Sequence, residues 1–74
     1  MDSKLGRHED QEAILRRVRG EYRELPGLSP TLAQAQRLFG LDRDTCGAVL
    51  ERLTRARFLT RTSKGRYVRR DVAS

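Results

Sequence analysis

The sequence predicts a mainly α-helical domain closed by a small C-terminal β-hairpin. Two observations carry this. Apolar residues recur at helical spacing in three successive stretches, with Pro-Gly after the first and Gly after the second. Near the C-terminus, two short runs of β-forming residues flank a single glycine. With 74 residues, the chain makes one small domain near the lower limit for a self-sufficient core.

The first helix is expected from about Asp10 to Leu25. Leu15, Val18, Tyr22 and Leu25 repeat at i, i+3, i+7 and i+10, and Ile14 widens the stripe. Charged residues fill the remaining positions, and Glu12 with Arg16 makes a favourable i, i+4 pair. Gly20 weakens the interior by roughly 1 kcal/mol relative to alanine. Pro26-Gly27 then stops the helix. Upstream, "MDSKLGRH" has no periodicity, so residues 1–9 read as a disordered arm and His8 as an exposed histidine without a role.

Leu28-Ser29 reads as a short extended piece, because Pro30 disfavours helical backbone in the residue before it. A second helix follows in "TLAQAQRLF". Thr31 and Gln34 form a capping box, and Ala35, Leu38 and Phe39 are its expected buried side. Gly40 ends it where left-handed backbone is needed. Asp42 caps a third helix, "RDTCGAVLERLTRA", in which Cys46, Val49, Leu50 and Leu53 form an apolar stripe. The two helices and their short turn make a helix-turn-helix. Cys46 belongs to the stripe and reads as a small core residue.

After Arg57, "FLTRT" and "RYVRR" are strand-like, and "SKG" between them is a three-residue hairpin loop. The domain is thus placed at residues 10–70, with 71–74 as a disordered end.

Charge is distributed unevenly. The net charge is +6, yet residues 1–30 carry six basic and six acidic groups and net zero. Residues 31–56 net +1, and residues 57–74 carry six basic groups against Asp71 alone. The hairpin therefore holds most of the excess. Arginine supplies fourteen of the sixteen cations, and its planar fork suits bidentate phosphate and guanine contacts.

Several function classes fall away. The single cysteine allows no intrachain disulfide and no metal-ligand spacing. The sequence offers no nucleophile–base pair, metal cluster or phosphate-cradling glycine loop, so no enzyme, cofactor, metal or small-molecule ligand is expected. No apolar stretch reaches membrane-spanning length and no signal-peptide core is present, which makes the cytosol the expected location and excludes a membrane partner.

The stretch "LSPTLAQAQRLFGLDRDTCGAVLERLTRARFLTRTSKGRYVRR" resembles a winged helix-turn-helix domain, of the kind found in bacterial MarR-like and GntR-like transcriptional regulators. The likeness covers about residues 11–70 and is carried by Ala35, Phe39, Gly40, Leu41, Cys46 and Val49, then Phe58, Leu59 and Gly65. It implies a DNA-binding protein whose third helix lies in the major groove and whose hairpin, the wing, meets phosphates or the minor groove. By that likeness the exposed face of the third helix comprises Arg43, Asp44, Thr45, Gly47, Ala48 and Glu51, continuing through Arg52 and Arg55. Wing contacts fall to Arg61, Lys64, Arg66 and Arg69, and phosphate contacts at the start of the second helix to Thr31 and Gln34.

Asp44 and Glu51 repel phosphate, although a carboxylate can accept from cytosine N4. A reading helix this small is expected to need a homodimer or a larger protein partner to reach operator-level affinity. Three other readings stay open: an adaptor that packs the face around Gly47, Ala48 and Glu51 on a protein, a double-stranded RNA binder, and a hairpin whose charges only protect a sheet edge.

Overall fold

In the computed structural model, which describes residues 7–73, the chain forms four helices and a two-stranded antiparallel hairpin. Helix α1 spans Arg7–Glu24, α2 Leu32–Phe39 and α3 Arg43–Arg55; strands β1 (Leu59–Arg61) and β2 (Tyr67–Arg69) follow, then the short α4 (Arg70–Ala73). The expected mainly helical architecture with a C-terminal hairpin is present. The ends differ from expectation. Helix α1 already includes Arg7 to Glu9, and residues 71–73 belong to α4; the rest of the arm expected at 1–9, and Ser74, lie outside the described residues.

The core is one cluster in which α1 contributes Leu15, Val18 and Tyr22, and α2 contributes Ala35 and Phe39. Cys46, Val49, Leu50 and Leu53 of α3 and Leu59 of β1 complete it. Every member of the α3 stripe is buried, as its i, i+3, i+4, i+7 spacing requires. Two expected core residues are not in it. Leu38 is half exposed, because on α2 the inward pair Ala35 and Phe39 is completed by Leu32, one turn earlier, rather than by Leu38 to one side. Leu25 is also half exposed, since α1 ends at Glu24 and the chain leaves the helix axis there.

Both ends of α2 are built as the sequence predicts. Thr31 Oγ1 accepts from the Gln34 amide at 3.2 Å, and Gln34 Oε1 accepts from the Thr31 amide at 3.0 Å. Gly40 takes left-handed backbone (φ 67°), and Leu41 donates to the Gln36 carbonyl at 2.9 Å to close the turn. Arg17 reaches over from α1 and donates to the Phe39 carbonyl at 3.1 Å, satisfying one more helix-end acceptor.

The end of α3 carries an unexpected residue. Phe58 donates to the Leu53 carbonyl and Arg57 to the Thr54 carbonyl, both at 3.0 Å, a Schellman closure that places Arg57 in left-handed backbone at φ 65°. Glycine is the residue this position favours, because a Cβ there crowds the following carbonyl.

The hairpin pairs Leu59 with Arg69, Thr60 with Val68 and Arg61 with Tyr67. Thr62 and Arg66 close its loop, with Gly65 at φ 77° as the three-residue turn demands. No strand forms at Leu28-Ser29. The extended segment instead meets the hairpin two residues later: Thr31 bridges Arg66, and the Tyr67 amide donates to the Pro30 carbonyl at 2.8 Å. Proline cannot donate but accepts freely, so Pro30 fits this edge position.

Candidate nucleic-acid interface

The site is assembled from the start of α3 and from the hairpin, each held by its own local chemistry. Asp42 caps α3 by accepting from the Thr45 amide at 3.1 Å. Its hydrogen bonds with Thr45, through the side chain and then the backbone, hold its carboxyl below the ordinary value of 3.8, so the cap is ionised at neutral pH. Thr45 is thereby a structural partner of the cap, while Arg43 and Asp44 stand exposed in the first turn.

Three contacts fix the hairpin to the body. The buried Tyr22 hydroxyl donates to the Tyr67 carbonyl at 2.8 Å. Arg66 Nη1 donates to the Ser29 carbonyl at 2.8 Å and lies 3.4 Å from Gln34 Oε1. The Pro30–Tyr67 backbone bond is the third. The hairpin therefore does not swing freely on the three residues, Ala56 to Phe58, that join it to α3.

Between hairpin and helix runs an open groove of about 610 Å³. Helix α3 lines it with Arg43, Gly47, Ala48 and Glu51, and the hairpin with Arg61 and Tyr67. Two guanidinium groups from different elements thus share one depression. The Arg61 guanidinium sits 5.9 Å from the Tyr67 ring centre, a cation–π distance that leaves its N–H edge available. Neither Arg43 nor Arg61 nor Lys64, on the hairpin tip, is in an ion pair among the described residues. Of the two acids here, Glu51 is partnered by Arg55 at 3.1 Å, while Asp44 lies in the lining beside Arg43.

The remaining sequence-predicted residues are distributed differently. Arg52 is not in the groove; it turns to α1, where its Nη1 donates to Gln11 Oε1 at 2.9 Å and to Glu12 Oε2 at 3.3 Å. Arg69 is largely covered and forks onto Asp71 at 3.0 and 2.6 Å. Arg66 is spent on Ser29 and Gln34. Thr31 and Gln34 use their side-chain oxygens on each other's backbone amides, which leaves the exposed side-chain nitrogen of Gln34 (Nε2) without an acceptor among the described residues.

Tyr67 is a lining residue that the sequence reading did not single out. Strand alternation offered a signal, since it sets Tyr67 on the same side as Arg69 and across the hairpin from Arg61. Among the described residues no helix is long and apolar enough to cross a membrane, and no group of three or more metal-ligating side chains occurs. No family model matches the chain, and no curated protein or solved structure is close enough to count as a match.

Proposed function

We propose that this protein binds double-stranded DNA as a winged helix-turn-helix module, a transcriptional regulator or an accessory protein, with α3 in the major groove and the hairpin as the wing. The observation that carries the reading is that Arg43 and Arg61, cations from two elements with no ion pair among the described residues, line one groove. An α-helix is about 10–12 Å across with its side chains, and the major groove of B-DNA is about 12 Å wide. Arg43 on the helix and Arg61 with Lys64 on the hairpin would then meet phosphates while α3 faces base edges.

Gly47 supports the same reading. A helix-interior glycine costs about 0.8–1 kcal/mol relative to alanine. A Cβ at Gly47 would meet nothing within 4 Å, so packing inside this chain does not call for a glycine. A bare backbone at the groove suits a partner that must come close. The fixed hairpin adds to this, since contacts made by a pre-positioned element lose less to ordering on binding.

A second reading, docking onto a protein, is favoured by one specific feature: Asp44 and Glu51 share the groove with Tyr67, a mixed-charge lining with an aromatic ring. Fluorescence anisotropy with a labelled random-sequence duplex at low salt separates the two. DNA binding predicts saturable binding by wild type and weakening by Arg43→Ala, Arg61→Ala and Lys64→Ala together. Wild type that leaves the duplex unbound would transfer the groove to a protein partner.

A further inference from the structure

A second cationic patch lies on the other flank of α3. Arg16 and Arg19 of α1 and Arg52 of α3 surround a shallow depression of about 210 Å³ over Leu15, Leu53 and Ala56. Arg57 is exposed and directly follows the patch residue Ala56, and the guanidinium of the patch residue Arg19 lies 5.3 Å from the ring centre of Phe58, the residue after Arg57. One acid, Glu12, lines it and pairs with Arg52 at 3.3 Å. Both members of that pair are at least half exposed, which makes it a weak, exchangeable contact. Next to this patch, Arg57 occupies left-handed backbone (φ 65°), a conformation that favours glycine.

Position around α3 gives the patch its meaning. The groove residue Gly47 and the patch residue Arg52 are five positions apart. At 3.6 residues per turn they point about 140° away from each other. Cations therefore stand on both flanks of one helix, with the exposed Asp44, Ala48 and Arg55 between them.

We infer that Arg16, Arg52 and Arg57 bind phosphates of the DNA strand opposite to the one held by Arg43, Arg61 and Lys64, so that α3 bridges both walls of the major groove. This rests on the DNA-binding reading above and specifies its geometry: the ligand is a duplex, and the flank cluster is a phosphodiester site. A helix filling a groove about 12 Å wide has a phosphate backbone on each side. Swinging Arg52 to a phosphate gives up its exposed contacts with Glu12 and Gln11, gains an ion pair with the phosphate and releases a counterion from the DNA.

The test is a salt titration with four proteins: wild type, the flank variant Arg16→Ala with Arg57→Gly, the groove variant Arg61→Ala with Lys64→Ala, and a charge-matched control, Arg37→Ala with Arg70→Ala. The flank variant keeps its fold by design, since alanine favours helix at the exposed Arg16 and glycine suits the backbone at Arg57. Each lost phosphate contact lowers the magnitude of the log K against log salt slope by about 0.9 on duplex DNA. The expected result is a decrease of about 1.8 for flank and groove variants alike and none for the control. On a single-stranded oligonucleotide, which has no second wall, the flank variant is expected to bind like wild type.

If wild type binds duplex and the flank variant keeps the wild-type slope, the bridging geometry is wrong while DNA binding stands. If wild type does not bind duplex, both proposals fall. If an oligoglutamate peptide binds wild type but not the flank variant, and duplex binding is equal in the two, the patch serves an acidic protein segment and the phosphate assignment is overturned.

Discussion

The hydroxyl of Tyr22, in the middle of the core, donates to the backbone carbonyl of Tyr67 at 2.8 Å and so ties α1 to the second hairpin strand across 45 positions of sequence. Its ring meets Phe39 at 6.4 Å and Phe58 edge-on at 6.2 Å. One side chain thereby joins the core to the element that carries most of the surplus charge.

Tyr22→Phe keeps the ring contacts and removes only this bond. A net loss of about 1 kcal/mol is expected, read as a lower urea midpoint at unchanged m value. Burial pushes the Tyr22 hydroxyl well above its ordinary 10.0, and burial also pushes the Cys46 thiol above its ordinary 9.0. The folded protein holds both protons more tightly than the unfolded chain does. Stability is therefore full below pH 9 and falls as pH rises past these ordinary values towards the folded ones. In Tyr22→Phe the fall above pH 10 is expected to be shallower than in wild type; an identical fall would assign it to other groups.

Arg57→Gly is expected to stabilise the protein. Left-handed backbone costs a residue with a Cβ about 1 kcal/mol that glycine does not incur, and the Schellman hydrogen bonds are unaffected. Thermal unfolding should shift upward by a few degrees, on the order of 4–8 °C per kcal/mol for a domain of this size. A lower midpoint would mean that the arginine side chain contributes more to the fold than its backbone strain removes.

Gly47→Ala is expected to separate stability from binding. Adding the methyl group should stabilise α3 by up to about 1 kcal/mol, since nothing lies within 4 Å of the new Cβ. If the groove receives a close-packed partner, affinity for duplex should fall even as the unfolding midpoint rises. A stabilised variant with unchanged affinity would remove Gly47 from the interface.

The two neighbours Glu51 and Arg52 are expected to act differently in a selection from random sites. Glu51 lines the groove and can accept from a cytosine amine, so Glu51→Ala should change which sequences are enriched. Arg52 faces α1, so Arg52→Ala should weaken all sequences about equally. A shifted preference for Arg52→Ala and none for Glu51→Ala would reverse these assignments.

The difference between these neighbours shows where sequence reasoning stops. Helical spacing exposes Cys46, Val49, Leu50 and Leu53 as a stripe, because burial follows the turn of a single helix. Both Glu51 and Arg52 lie off that stripe, and which flank each occupies depends on where α1 and the hairpin pack, which local periodicity does not encode. The same reason explains Arg66 and Arg69: their partners Ser29 and Asp71 are set by hairpin pairing and by α4. Leu25 followed the helical period but lies beyond the last helical residue, and Leu38 sits beside the inward pair rather than between its members. The Schellman turn was hidden because its usual glycine is replaced by Arg57. Caps and the hairpin loop were legible since Thr31, Gln34, Gly40, Asp42 and Gly65 each meet a strictly local backbone demand.

The proposed grip of Arg43 on α3 and of Arg61 and Lys64 on the hairpin upon a phosphate backbone is the premise of the DNA-binding reading. It is tested most directly by the salt dependence of random-duplex binding for wild type and for Arg43→Ala, Arg61→Ala and Lys64→Ala combined, with Arg66 left intact because it anchors the hairpin to Ser29. Wild type is predicted to bind with Kd of about 10⁻⁴ to 10⁻⁶ M at physiological salt, and the slope to lose about 2.7 in magnitude in the triple variant. A wild-type slope retained by the triple variant, or no binding by wild type at low salt, would show that these three cations do not hold a phosphate backbone.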